Sequence, residues 1–220
     1  MKKRHSLYLR LLLVNVAFLF AFTGCATKEV KLTETGFLSS YSDLEADTDS
    51  QGMYVYKNPG VKIAERYPKI LIAPVQFKLD PTLKENEITD EDREKLAKYF
   101  YEQLEEGLAE NHIITDTPGD DVLLFRVAVT GVLPNKVYLN LHWSTTLIGA
   151  GIGGASLEAE LVDSLTSERM ISFVDARKGK RLNYTKGLTK WGHTKEVLGI
   201  WAGIMVTNLD KLREKHEAGI

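Results

Sequence analysis

The sequence predicts an α+β fold, a two-layer sandwich in which two main amphipathic helices pack on a mostly antiparallel or mixed sheet. Two segments, 89–111 and 194–215, carry apolar residues at helical spacing. Several others are rich in β-branched residues or alternate apolar with polar residues, as strands do. The 220 residues are 44% apolar and 26% charged, an ordinary globular composition that excludes collagen-like, coiled-coil and fully disordered chains.

Residues 1–24 are typical of a secretory signal peptide. Four basic residues lie among the first ten, and an apolar run follows over residues 11–22. This run is shorter than the roughly 20 apolar residues of a membrane-spanning helix. It ends in FTGC at 22–25, which resembles the lipobox of bacterial lipoproteins. The resemblance implies cleavage before Cys25 and acylation of its thiol, by chains such as palmitate. The alternative is a plain secretory signal in which Cys25 is incidental.

The charge of the mature chain bears on its partners. Removal of residues 1–24 leaves 24 basic and 30 acidic residues, a net charge of −6. Such a chain is not suited to nucleic acid or to anionic headgroups through a basic patch, so we expect no nucleic-acid partner and membrane attachment through the lipid on Cys25. Ala26 stands where enteric lipoproteins retained in the inner membrane commonly have aspartate. The resemblance therefore implies the outer membrane, with the domain facing the periplasm.

Three regions are predicted along the chain: a lipoprotein signal peptide at 1–24, an acylated tether and extended segment at 25–60, and a periplasmic α+β domain at 61–220. Residues 26–52 are mostly polar. We expect their isolated apolar side chains to dock on the domain. These side chains are Phe37, Leu38, Tyr41 and Leu44.

The first half of the domain reads as strand, strand and helix. Short strands are predicted at 53–56 and at 69–75, where Pro68 precedes the apolar run and Pro74 lies near its end. Thr89 is a suitable N-cap for a helix that begins with three acidic residues and ends near Asn111. Its apolar stripe consists of Leu96, Phe100, Leu104 and Leu108.

The second half reads as three or four strands and a helix. Residues 122–132 predict an internal strand, and residues 137–143 alternate with a period of two. Residues 156–162 fit either a helix or a strand. A strand is favoured because the turn-rich stretch 163–168 and the apolar residues 170–174 complete a hairpin. Residues 194–215 predict the last helix.

A glycine-rich stretch at 149–154 formally satisfies the dinucleotide-binding pattern G-x-G-x-x-G. A strand is expected after it rather than the helix N-terminus that would receive a pyrophosphate, so we expect no dinucleotide and no other cofactor. A flexible loop or a close approach of the backbone is one interpretation, and a loop that contacts the membrane or lines an oligomer is another. The residues of that candidate contact are Trp143, Leu147, Ile148, Gly151 and Ile152.

Glu158 and Glu160 share a strand face at a spacing that a glycosidase could use. We instead expect them to be solvated and paired across strands with Arg177 or Lys178. The histidines are scattered, and Cys25 is the only cysteine, so no metal site and no catalytic set are predicted.

Three stretches carry a family resemblance: GFLSSYSDL at 36–44, ILIAPV at 70–75, and EAELVDS at 158–164 with TSE at 166–168. Together they resemble an uncharacterised family of bacterial lipoproteins, the domain of unknown function 3313, over most of the mature chain. The strand order is more distantly similar to periplasmic lipoproteins with the fold of the curli secretion channel's periplasmic domain and of the lipoprotein activator of peptidoglycan synthases. This resemblance implies a protein that is not an enzyme.

These observations favour a non-enzymatic, outer-membrane-anchored lipoprotein whose periplasmic domain is an adaptor in an envelope complex. One alternative is a subunit of an oligomeric secretion or transport pore, with residues 137–154 as the contact or insertion segment. A less favoured one is a protein that binds or hydrolyses cell-wall glycan through Glu158 and Glu160.

Overall fold

A computed structural model of the chain describes residues 34–47, 53–79, 88–133, 154–178 and 188–218. Residues Leu32–Ile220 form one compact unit. The described strands are β1 (Glu45–Ala46), β2 (Tyr54–Lys57), β3 (Lys69–Ile72), β4 (Gln76–Phe77), β5 (Ile113–Ile114), β6 (Val122–Leu133), β7 (Gly154–Asp163) and β8 (Arg169–Lys178). The described helices are α1 (Ile63–Arg66), α2 (Asp90–Ala109) and α3 (Gly192–Glu217).

The strands form one mixed sheet in the order β1-β2-β8-β7-β6-β3-β5, with β4 paired to β6. Strands β6, β7 and β8 are long and antiparallel, whereas β3 and β4 run parallel to β6. Strand β6 has neighbours on both sides, which confirms that it is internal. The predicted α+β fold with a mixed sheet and two long helices is therefore confirmed.

The β7–β8 hairpin forms where the sequence predicts it. Strand β7 covers the ambiguous residues 156–162, so the strand interpretation is confirmed. The connecting turn begins at Asp163, whose side chain accepts the backbone N–H groups of Leu165 and Thr166 at 3.0 and 2.8 Å. Ser167 completes the turn with a φ of 60°, in the left-handed region that favours glycine.

Helix α2 begins and packs as its sequence predicts. Thr89 is the N-cap, and its side chain accepts a hydrogen bond from the backbone N–H of Asp92. The four predicted stripe residues, Leu96, Phe100, Leu104 and Leu108, are fully buried. The helix ends at Ala109, two residues before the expected end.

Helices α2 and α3 cover the same face of the sheet. Strand β6 contributes Leu123 and Phe125 to this core, β7 contributes Leu157, and α3 contributes Val197 and Trp201. Within the described ranges, no helix combines the length and apolarity that a membrane span requires. The two helices and the sheet thus form the two predicted layers.

Some boundaries differ from the prediction. The strand expected at 69–75 ends at Ile72, and Pro74, which has no N–H to give to a ladder, follows it. The strand expected at 53–56 is shifted by one residue, to Tyr54–Lys57. The alternating segment 137–143 lies outside the described residues.

Acid should weaken the turn at Asp163. Burial raises the pKa of this carboxyl, but hydrogen bonds from Thr166, Tyr67 and Leu165 outweigh burial and lower the pKa to about 2. The hydroxyl of Tyr67 donates to Oδ2 of Asp163 at 2.8 Å. Because the folded pKa lies below the unfolded value near 3.9, the stabilisation is complete above about pH 4 and is lost as the pH falls toward 2.

We therefore expect Asp163→Asn to lower the free energy of unfolding at pH 7 by about 1–3 kcal/mol. The difference between this variant and the wild type should shrink between pH 4 and pH 2. Urea midpoints measured from pH 7 to pH 2 test this, with the exposed Asp120→Asn as the matched control. A difference that stays constant across that range would contradict the role of the ionised carboxylate.

Candidate functional site

Two carboxylates of β7 lie on the sheet face opposite the helices. Because side chains alternate along a strand, Leu157 and Leu161 point to the helices, and Glu158 and Glu160 point away from them. Both glutamates are nevertheless fully buried, with 0% of their surface exposed. Residues 34–44, called here the N-terminal segment, cover them.

Glu158 holds the first part of the N-terminal segment. The backbone N–H of Thr35 donates to Oε1 of Glu158 at 3.2 Å, and the Thr35 hydroxyl donates to Oε2 at 2.9 Å. The hydroxyl of Tyr41 also donates to Oε2. Hydrogen bonds to an ionised acceptor are about twice as strong as neutral ones, so these three bonds make a firm attachment.

Glu160 holds the middle of the same segment. The backbone N–H and the hydroxyl of Ser39 both donate to Oε2 of Glu160, at 3.0 and 2.9 Å. The guanidinium of Arg126, on the adjacent strand β6, forms an ion pair with Oε1. Arg126 also donates to the carbonyl of Phe37 at 3.2 Å and lies 5.4 Å from the centre of its ring. One buried carboxylate and one arginine therefore fix both polar and aromatic parts of the segment.

Tyr41 closes the N-terminal segment on itself. Its hydroxyl oxygen accepts the backbone N–H groups of Gly36 and Phe37, at 2.9 and 3.1 Å, while the hydroxyl donates to Glu158. Burial and the hydrogen bond to Glu158 raise the pKa of Tyr41. Gly36 has a φ of 75°, in the left-handed region that favours glycine.

Arg169, the first residue of β8, holds the end of the segment. Its guanidinium donates to the carbonyls of Ser40 and Ser42, at 2.9 and 3.1 Å. It also stacks 3.5 Å from the centre of the Tyr56 ring and lies 3.7 Å from a carboxylate oxygen of Asp43. The segment is thus bound to strands β6, β7 and β8 together.

Apolar contacts complete the attachment. Phe37 and Leu38 are buried against Ala128 of β6, in a cluster separate from the main core. Tyr41 and Leu44 pack on this cluster. The prediction that the isolated apolar residues of the tether dock on the domain is confirmed.

Chemically, this arrangement is an anchor for the chain itself. The oxygens of both carboxylates accept hydrogen bonds from residues of the same chain, and neither side chain is exposed to a cleft. Two polar atoms nearby, Ser172 Oγ and Arg126 Nε, are buried without a hydrogen-bond partner. The site therefore has the groups for holding a segment of the chain's own backbone.

The expectation that Glu158 and Glu160 are solvated is wrong. The face that a strand pattern marks as exposed is covered by residues more than 115 positions earlier in the chain. The cross-strand partner of Glu160 is Arg126 on β6, whereas Arg177 pairs with Asp175. The side chain of Lys178 lies outside the described residues.

Two of the described histidines, His112 and His193, make contacts within the fold. His112 lies 2.9 Å from Asp210, linking the end of α2 to α3, and His193 lies 3.0 Å from Glu196 in the first turn of α3. In the ranges that the structure describes, no group of three or more metal-ligating side chains occurs.

The residues predicted for lipidation and for partner contact fall outside the described ranges. They are Cys25, Trp143, Leu147, Ile148, Gly151 and Ile152. Their roles stay predictions.

Three members of the site, Arg126, Ser39 and Arg169, are not predicted from the sequence. Arg126 is the only charged residue in the apolar strand β6, and a lone charge within such a strand is a signal of a buried partner. Nothing local distinguishes Ser39 or Arg169.

The chain belongs to a family described as a protein of unknown function, DUF3313, whose model matches residues 33–205. The match includes the N-terminal segment and, in the described part of the chain, the strands and helices up to the middle of α3. The predicted family resemblance is thereby confirmed.

A curated relative is the uncharacterized lipoprotein YdcL of Escherichia coli K12. It is 27% identical over 195 residues, which cover 82% of this chain and 87% of that protein. This relationship supports the lipoprotein class for the chain. Because YdcL is described as uncharacterized, this relationship transfers no activity to the chain.

Solved structures resemble the chain only partially. The PelC dodecamer from Paraburkholderia phytofirmans is 13% identical over 67% of this chain and 91% of its own, with a TM-score of 0.39. A protein of Xanthomonas campestris from the DUF330 family is 11% identical over 74% of this chain and 94% of its own, with a TM-score of 0.38.

Proposed function

We propose that this chain is an outer-membrane lipoprotein, anchored through acyl chains on Cys25, whose periplasmic domain is a non-enzymatic adaptor for another envelope protein. The observation that carries the proposal is the attachment of the N-terminal segment to Glu158 and Glu160. These carboxylates are the pair that a glycoside hydrolase would need facing a sugar. Here they are buried and bonded to Thr35, Ser39 and Tyr41, which supports a structural use for them.

The attachment also limits how far the domain lies from its anchor. Ten peptide units separate Cys25 from Thr35, and a chain of that length spans at most about 35 Å. Because Thr35 is bonded to the domain, the tether cannot extend through the rest of the N-terminal segment. This supports a domain that acts close to the membrane and meets partners there.

Anchoring is testable through Cys25. Cells grown with alkynyl palmitate should incorporate the label into the wild-type chain and into the control Thr27→Ala, and both should fractionate with the outer membrane. Cys25→Ala should lose the label and the membrane association. Ala26→Asp should keep the label and move to the inner membrane. Equal labelling of Cys25→Ala and wild type would overturn the anchor, and an unmoved Ala26→Asp would overturn the sorting part of the proposal.

A further inference from the structure

An apolar pocket of about 260 Å³ lies between α3 and strands β2, β7 and β8. Its apolar lining includes the buried residues Met53, Leu161, Phe173, Met205 and Leu209. It lies on the helix side of the sheet, away from the N-terminal segment. Its size is just below that of drug-sized ligand pockets, which begin at about 300 Å³.

Among the described residues, every charged side chain that lines this pocket belongs to a lysine. These are Lys57 on β2 and Lys211 and Lys215 on α3. The ion pairs of the described residues include none of the three. The helix dipole accounts for Lys215, which lies in the last turn of α3. It does not account for Lys57, which extends from a strand toward the same pocket.

The lysines Lys57 and Lys215 repel each other. Partial burial, together with the charge of Lys215, lowers the pKa of Lys57. An anion that binds between two positive charges beside an apolar surface offsets their repulsion. A second cavity, of about 760 Å³, shares Lys57, Leu212 and Lys215 with the first. The lysine pair therefore lies where the apolar pocket meets a wider cavity.

We propose that this pocket binds a medium-chain alkyl carboxylate, with its chain among the apolar residues and its carboxylate between Lys57 and Lys215. A chain carbon with its hydrogens takes about the volume of a water molecule, ~30 Å³, so the pocket holds about nine carbons. The apolar lining fits the chain, and the three lysines fit a single negative charge. Asn208 adds a polar side chain to the lining.

Photolabelling of the full lipoprotein in its native membranes tests the proposal. The probe is a ten-carbon carboxylate that carries a diazirine and an alkyne. Adducts should map to the elements that line the pocket, at residues 53–57, 154–163, 169–178 and 192–217. Decanoate should compete for labelling, and decanol should not. Lys57→Glu combined with Lys215→Glu should reduce labelling at least tenfold, whereas Lys78→Glu, an exposed lysine outside the pocket, should not change it.

A second variant tests the chain-binding part without changing charge. Leu212→Trp places a larger side chain in the lining and should also abolish labelling, with an unchanged circular dichroism spectrum. Equal competition by decanol, wild-type labelling of the double lysine variant, or adducts elsewhere in the chain would each overturn the proposal. Labelling that appears only in Cys25→Ala would overturn it too, because it would show that the chain's own acyl group occupies the pocket.

Discussion

Replacing Glu160 with glutamine should lower the free energy of unfolding by about 3 kcal/mol. The substitution leaves the guanidinium of Arg126 without its counter-charge. The carboxylate that accepts both hydrogen bonds from Ser39 is also replaced by an amide, whose NH2 group is a donor. Removing one partner of a buried ion pair typically costs about 3–5 kcal/mol. We expect a cost at the lower end of this range because the side chain of Arg126 is 32% exposed.

Urea unfolding of the mature chain measures this loss. The matched control is Glu102→Gln, which removes the charge of an exposed glutamate paired with Lys98 and should cost less than about 0.5 kcal/mol. Hydrogen exchange gives a local readout: the amides of Thr35 and Ser39 should exchange faster than in the wild type in Glu160→Gln, and at the wild-type rate in Glu102→Gln. If the two variants are equally stable, Glu160 does not hold the N-terminal segment.

Replacing Trp201 with alanine should cost about 3–5 kcal/mol. Trp201 is 1% exposed and lies in the core between α3 and the sheet. Its Nε1–H donates to Oδ2 of Asp175 at 2.9 Å, and Asp175 is itself buried. The alanine variant therefore creates a large cavity and removes a hydrogen bond to a buried carboxylate.

A conservative change separates these two effects. Trp201→Phe keeps most of the apolar volume but removes the N–H, so it should cost about 1–3 kcal/mol. Trp191→Ala, at a half-buried tryptophan just before α3, is the matched control and should cost less than Trp201→Ala. Thermal and urea unfolding measure all three. Equal losses for Trp201→Ala and Trp191→Ala would contradict the central position of Trp201 in the core.

The elements that sequence predicts well are those whose signals are local. Helix α2 has its cap, its acidic first turn and its apolar stripe within 20 residues, and the β7–β8 hairpin has a turn between two strands. The short strands β1, β4 and β5 have two residues each, too few to show any period.

The anchor site escaped prediction because its parts are distant in sequence. The spacing of Glu158 and Glu160 identifies a strand face, but whether that face is exposed to solvent depends on residues 34–44. Two of the stretches that carry the family resemblance, 36–44 and 158–164, contact each other there. Both halves of the site are recognisable in the sequence, but nothing in the sequence indicates that they are in contact.

Photocrosslinking in intact cells tests the adaptor function most directly. A photoreactive residue at Trp143 or Ile152 probes the predicted contact, with Glu102, an exposed position on α2, as the control site and Cys25→Ala as the mislocalised control. We expect one discrete adduct with another envelope protein, dependent on Cys25 and absent when the photoreactive residue is at position 102. A ladder of self-adducts would contradict it in favour of an oligomeric pore. Absence of any adduct, with binding or cleavage of cell-wall glycan by the purified protein, would contradict the non-enzymatic adaptor altogether.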